Sequence, residues 1–78
     1  MDIYMNLLTN KYDSDYKVTG FFVNLCGKDP DNDKNQINIK LELTSKDFPQ
    51  VKDLSSLSPQ EIRTVAINKA VAYLNGRK

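Results

Sequence analysis

The stretch QINIKLELT, residues 36–44, alternates apolar and polar side chains along its whole length. Because successive side chains of a strand point to opposite faces, this alternation predicts a strand with one apolar face and one polar face. An antiparallel sheet that is covered on one side only has this signature. The apolar set is Ile37, Ile39, Leu41 and Leu43.

The segment LSPQEIRTVAINKAVAYLNG, residues 57–76, predicts a helix that covers the apolar face. We expect Ser58 to be the N-cap residue, Pro59 to occupy the first helical position and Glu61 to complete a capping box. Apolar residues recur through the segment at helical spacing. They are Ile62, Ala66, Ala70, Tyr73 and Leu74, with Ile67 widening the face.

The last three residues of the chain predict where this helix ends. Gly76 suits the C′ position, where the backbone commonly adopts a left-handed conformation. Arg77 and Lys78 follow, and their positive charges would stabilise the negative end of the helix dipole.

Two further strands are predicted before residue 30. YKVTGFFVNLC, residues 16–26, is rich in β-branched and aromatic residues, and Phe22 would face away from its core side. DIYMNLLT, residues 2–9, is ambiguous between a strand and a helix, and the polar segment that follows it favours a strand. The core side of residues 16–26 is predicted to carry Thr19, Phe21, Val23 and Leu25.

These elements predict one small domain, residues 1–78, of the α+β class. The expected order is β-β-β-α: a three-stranded antiparallel β-meander with one C-terminal α-helix packed on one face. Apolar residues between the third strand and the helix recur at every third position, so they are expected to anchor a loop or a short helical turn to the core. They are Phe48, Val51, Leu54 and Leu57.

The stretch DPDNDKN, residues 29–35, has the aspartate spacing with which a calcium-binding loop begins. Such a loop also needs glycine at its sixth position and glutamate at its twelfth. Counted from Asp29, those positions hold Lys34 and Lys40. The segment is therefore interpreted as the turn of a hairpin, and no metal site is expected.

The composition argues against the common kinds of catalytic site. The chain has no histidine, one cysteine and three scattered glycines, so it lacks a histidine base, the commonest zinc ligand and a glycine-rich phosphate loop. Cys26 is interpreted as a small apolar residue near a strand end. We expect no enzymatic activity, no catalytic residues and no cofactor.

The charge and hydropathy of the chain limit its partners and its location. A formal net charge of +1 gives no sign of nucleic-acid or membrane binding. No apolar run is long enough to span a membrane, and the N-terminus does not resemble a signal peptide. We expect a cytoplasmic protein, and its many lysines and asparagines are typical of a low-GC bacterium or its phage.

The remaining candidate site is the sheet face that the helix leaves uncovered. An apolar patch on this face predicts protein–protein interaction, through a homodimer or another protein, either by burial of the patch or by strand addition at an uncovered sheet edge. The alternative is weak binding of single-stranded nucleic acid to the same face. Two other interpretations stay open: Phe22 is only partly exposed beside Tyr4, or the two faces are reversed. The predicted surface is Tyr4, Leu8, Val18, Phe22 and Lys40.

Overall fold

A computed structural model describes residues 2–76, with the side chain of Asp33 left out. It confirms the α+β class: one open antiparallel sheet, with strand order β1-β2-β3, is followed by one C-terminal helix. The ambiguous N-terminal segment is a strand. The elements are β1 (Asp2–Tyr12), β2 (Val18–Asp29), β3 (Asn32–Thr44), two 3₁₀ turns (Ser45–Asp47 and Leu54–Ser56) and α1 (Pro59–Leu74).

The DPDNDKN stretch forms the β2–β3 turn, as interpreted from the sequence. Asp29 pairs with Asn32, and only Pro30 and Asp31 lie between the two strands. The carboxylate of Asp29 accepts hydrogen bonds from the N–H of Asp31 (2.9 Å) and the amide of Asn35 (3.3 Å). These bonds, the one from Asp31 first, lower the pKa of Asp29 because they stabilise its charged form.

The start of α1 has the predicted caps. The hydroxyl of Ser58 accepts a hydrogen bond from the N–H of Glu61, and the carboxylate of Glu61 accepts one from the N–H of Ser58. Pro59 occupies the first turn. At the other end Gly76 has a φ of 73°, as its C′ role requires. The predicted dipole contribution of Arg77 and Lys78 lies outside the described residues.

The predicted buried face of α1 is correct for its first three turns and wrong for its last. Ile62, Ala66 and Ala70 are buried. Tyr73 and Leu74 are 58% and 65% exposed, although Leu74 continues the same stripe. The stripe therefore extends past the part of the helix that the sheet covers.

The core lies between α1 and one sheet face, and residues of the linker close it. Phe48 and Leu54 are buried, and the ring of Phe48 meets the ring of Phe21 edge to face at 5.9 Å. Val51 and Leu57 pack against the same cluster, which confirms the predicted anchoring of the linker. The buried cluster is Phe21, Val23, Leu25, Leu43, Phe48, Leu54, Ile62, Ala66 and Ala70.

A β-bulge corrects one residue of the predicted core set. Lys11 pairs with Gly20 and Tyr12 pairs with Val18, so Thr19 is an extra residue on β2. Thr19 is exposed, whereas the other predicted members, Phe21, Val23 and Leu25, are buried. The bulge interrupts the alternation on which the prediction for Thr19 depended.

Candidate interaction surface

The open face, defined here as the sheet face that α1 does not cover, carries large exposed apolar side chains. Tyr4 on β1 is 42% exposed and Phe22 on β2 is 47% exposed. Phe21 and Val23, the neighbours of Phe22 in sequence, are buried in the core. The predicted outward orientation of Phe22 is therefore correct, and the faces are not reversed. Tyr4 pairs with Cys26, so it is not the direct cross-strand neighbour of Phe22.

A second β-bulge, in β1, adds an apolar residue that the sequence pattern missed. Met5 pairs with Leu25 and Leu7 pairs with Asn24, so Asn6 is the extra residue. The bulge shifts the alternation by one position and turns Leu7 to the open face, where it is 56% exposed. Two features of the sequence hinted at this: Asn6 has low strand propensity, and a doublet of leucines follows it.

Two residues of the predicted surface lie on the other side of the sheet. Leu8 pairs with Val23, is half-buried and packs against the core cluster. Val18 also packs against that cluster. Strict alternation placed both outward, and the two bulges reverse their orientation because each inserts one residue into the pattern. Tyr4 and Phe22 retain the predicted orientation, and Leu7 takes the place of Leu8.

Polar side chains surround these apolar residues and form a shallow groove on the open face. Leu7, Phe22, Val23 and Leu41 provide the apolar part of its lining. Lys40 and Glu42 border it on β3, where Lys40 pairs with Asn24 and Glu42 pairs with Phe22. Lys40 thus lies on the predicted surface. The other polar lining residues are Asn6, Asn24 and Asn38.

Lys11 joins the two edge strands across the ring of Phe22. Its ammonium forms an ion pair with the carboxylate of Glu42 and lies 5.0 Å from the centre of the Phe22 ring. The cation therefore makes a favourable contact with the aromatic face. Because the charges of Lys11 and Glu42 compensate each other, this part of the open face is close to neutral.

Three asparagines and the cysteine lie at the middle of the open face. The amide of Asn24 donates to the Oδ1 of Asn6 (2.6 Å), and the thiol of Cys26 donates to the Oδ1 of Asn38 (2.8 Å). The Oδ1 of Asn24 is buried and has no hydrogen-bond partner among the described residues. The row is thus a polar stripe between apolar residues, and it leaves one acceptor without a donor.

The described residues contain no arrangement that indicates a metal site. Within them, no group of three or more cysteine, aspartate and glutamate side chains is placed to hold a metal ion. Cys26 is a free, half-buried thiol.

Comparisons with known proteins add no assignment. A scan against family models and searches of curated proteins and of solved structures find no match to this chain. Within residues 2–76, the length and hydropathy of the helices fall short of what a membrane crossing requires.

Proposed function

We propose that this protein is a non-enzymatic self-association module that buries the open face of its sheet against a second copy of the chain. The observation that carries the proposal is the position of Leu7 and Phe22. Both are about half exposed and line the same groove, on the face opposite the core. Contiguous apolar surface with a polar border is typical of protein–protein contacts.

The charges on the open face favour a second copy as the occupant. Lys40 has no ion-pair partner among the described residues, and Glu42 lies two positions away on the same strand face. In a two-fold symmetric contact each patch meets itself, so Lys40 of one copy can approach Glu42 of the other. Burial of the patch would also help a domain of 78 residues, whose own core is small.

The first test is the mass in solution, measured by light scattering after gel filtration. We expect the wild type to be oligomeric and Phe22→Lys to form a smaller species, because a lysine at the centre of the patch would bury an unpaired charge. Val71→Lys is the matched control. Val71 is 42% exposed, close to the value for Phe22, but it lies on the helix.

Three results would refute contact through the open face. They are a monomeric wild type, a Phe22→Lys variant of unchanged mass, and an equal loss of mass in Val71→Lys. Circular dichroism establishes that each variant is folded. If Phe22→Lys does not fold, Leu7→Lys replaces it, because Leu7 is the more exposed of the two residues.

The alternative function is weak binding of single-stranded nucleic acid to the same face, and an experiment must distinguish it from self-association. Phe22 and Tyr4 could stack on bases, but the ion pair of Lys11 with Glu42 neutralises one of the cations that would contact phosphates. Fluorescence anisotropy with a labelled oligonucleotide tests this function. Binding that weakens steeply with added salt would favour nucleic acid, whereas self-association through apolar contacts changes little.

We also propose that the protein comes from a bacterium or its phage and that it is located in the bacterial cytoplasm. The free thiol of Cys26 is compatible with a reducing compartment. A labelled fusion recovered in the periplasmic or secreted fraction of a bacterial host would contradict this location.

A further inference from the structure

We propose a second self-contact: the exposed edge of β3 pairs antiparallel with the β3 edge of another copy, in a register centred on Asn38. The sheet has the order β1-β2-β3, so β3 has a neighbouring strand on one side only. The backbone groups on its other side are available for strand addition. The inference extends the proposed self-association, but it concerns a different surface.

Two hydrogen bonds from α1 show which backbone groups of β3 point outward. The ammonium of Lys69 donates to the carbonyl of Glu42 (3.0 Å), and the guanidinium of Arg63 donates to the carbonyl of Ile3 on β1 (3.4 Å). Ile3 pairs with Gly27, and the pairing of β2 with β3 is regular from Gly27–Ile37 to Phe22–Glu42. If the carbonyl of Ile3 points away from β2, the backbone groups of Gly27 point toward β3, and those of Ile37 point back toward β2. Both bonds therefore indicate that the even-numbered residues of β3 present their N–H and C=O groups to the outer edge.

The same bonds divide the β3 edge into a protected part and an open part. Lys69 occupies the carbonyl of Glu42 and also bonds Asp47 (3.1 Å), so it covers the end of β3 near the linker. Neither bond reaches Asn38 or Lys40, whose outward backbone groups lie in the middle of the strand. A partner strand is therefore expected in the middle of β3, around Asn38 and Lys40.

The charge pattern of β3 selects one register for this pairing. In an antiparallel pair of identical strands centred on Asn38, the side chain of Lys34 of one copy lies opposite that of Glu42 of the other, beyond each end of the hydrogen-bonded stretch. Ile37 then lies opposite Ile39 on the core side. Centring on Lys40 would instead place two lysines opposite each other, which is unfavourable.

Edge pairing also enlarges the open face. Three strands spaced by about 4.8 Å and about 40 Å long give a face of roughly 580 Å², which is less than the ~800 Å² per partner of a standard interface. Two edge-paired copies present roughly 1,150 Å² on one continuous six-stranded face.

The two proposed contacts have different symmetry axes. The two-fold axis of the edge contact is perpendicular to the sheet, whereas that of the face contact lies parallel to the sheet. The two axes are therefore perpendicular, and where they intersect the two contacts together close a tetramer with D2 symmetry.

Cysteine cross-linking tests the register directly. Directly opposite residues of a hydrogen-bonded antiparallel pair have Cα atoms about 5.5 Å apart, within the range of a disulfide. The Asn38→Cys variant is made together with Cys26→Ser, because the thiol of Cys26 lies against the Asn38 side chain and would form an intrachain bond. We expect oxidation to give a covalent dimer in high yield. Lys40→Cys in the same background should give little.

The mass of Asn38→Pro separates the edge contact from the face contact. Proline at an edge position removes only an outward N–H, so the fold should persist. We expect the wild-type protein to be a tetramer. Each of Asn38→Pro and Phe22→Lys should reduce it to a dimer, and the two changes combined should give a monomer.

The contradicting outcomes differ for the two contacts. A mass unchanged by Asn38→Pro, or equal cross-linking at positions 38 and 40, would overturn the edge contact alone. A mass unchanged by Phe22→Lys would overturn the face contact alone, and a monomeric wild type would overturn both.

Discussion

The ammonium of Lys11 on β1 and the carboxylate of Glu42 on β3 form an ion pair that crosses the central strand. Phe22 lies on β2 between them, and its ring is 5.0 Å from the Lys11 ammonium. The pair therefore bounds the apolar part of the open face beside Phe22.

Removal of this pair should change stability little. Both side chains are partly exposed to solvent, and ion pairs of this kind contribute about 0.2–1 kcal/mol. A double-mutant cycle with Lys11→Gln and Glu42→Gln, measured by urea unfolding, should give a coupling energy in that range, and a smaller one at high salt. A coupling of several kcal/mol would contradict this prediction.

Leu7 and Leu8 should respond differently to truncation, because the bulge at Asn6 places them on opposite faces. Leu8→Ala removes a half-buried contact with the core, and we expect a loss of about 1–2 kcal/mol in the free energy of unfolding. Leu7→Ala should cost less than about 0.5 kcal/mol. Both are measured by chemical denaturation in the Phe22→Lys background, so that loss of the face contact does not contribute. The reverse order would show that β1 pairs in another register.

Gly20 should not tolerate alanine. A Cβ atom there would clash with the backbone carbonyl oxygen of Leu43, which belongs to the neighbouring strand and cannot rotate away. We expect Gly20→Ala to cost about 1–3 kcal/mol, the usual range for overpacking. Gly76→Ala is the control: it meets no neighbour within 4 Å, and its cost of about 1 kcal/mol comes from its positive φ alone. In thermal unfolding, Gly20→Ala should lower the midpoint temperature more than Gly76→Ala does.

Lys69 should matter more for stability than an exposed lysine does. It donates to the carbonyl of Glu42 and to the carboxylate of Asp47, and so connects α1 to β3 and to the first 3₁₀ turn. Lys69→Met keeps the apolar stem and removes both bonds, with an expected loss of about 1–2 kcal/mol. Lys46→Met, at an exposed position of the same turn, is the control. Equal unfolding midpoints for the two variants would show that the bonds of Lys69 contribute nothing.

The β2–β3 turn should loosen in acid. Hydrogen bonds from the N–H of Asp31 and the amide of Asn35 lower the pKa of Asp29 from 3.8. A carboxylate with a lowered pKa stabilises the folded state fully above its unfolded pKa, and this contribution is lost as the pH falls through the folded pKa. We expect the protection of the amides in residues 29–35, measured against the intrinsic exchange rate at each pH, to fall below about pH 4. Asp29→Asn should remove most of this dependence, and an unchanged acid response would assign it to another carboxylate.

Local signals in the sequence predicted the ends of α1 and the β2–β3 turn. Ser58, Pro59, Glu61 and Gly76 act within one turn of the helix, so their effect does not depend on the rest of the fold. The alternation in residues 36–44 likewise predicted β3, because each side chain has to take one of two faces.

Which side chains lie on the open face depends on how the strands pair, and the alternation of apolar and polar residues alone does not describe this pairing. Asn6 and Thr19 each add one residue to a strand, and which residue bulges is decided by how β1 and β2 align across the whole hairpin. Leu8 and Val18 were therefore assigned to the wrong face and Leu7 was missed, whereas Tyr4, Phe22 and Lys40 were assigned correctly.

The sequence by itself determined the caps of α1, the β2–β3 turn and the alternation of β3, because each depends on neighbours a few positions away. Only the tertiary structure decided which of two adjacent leucines joins the open face and where the sheet stops beneath α1. Leu74 continues the apolar stripe of the helix, yet it is 65% exposed. Burial requires a partner surface at the right distance, and the packing of the whole chain sets that distance.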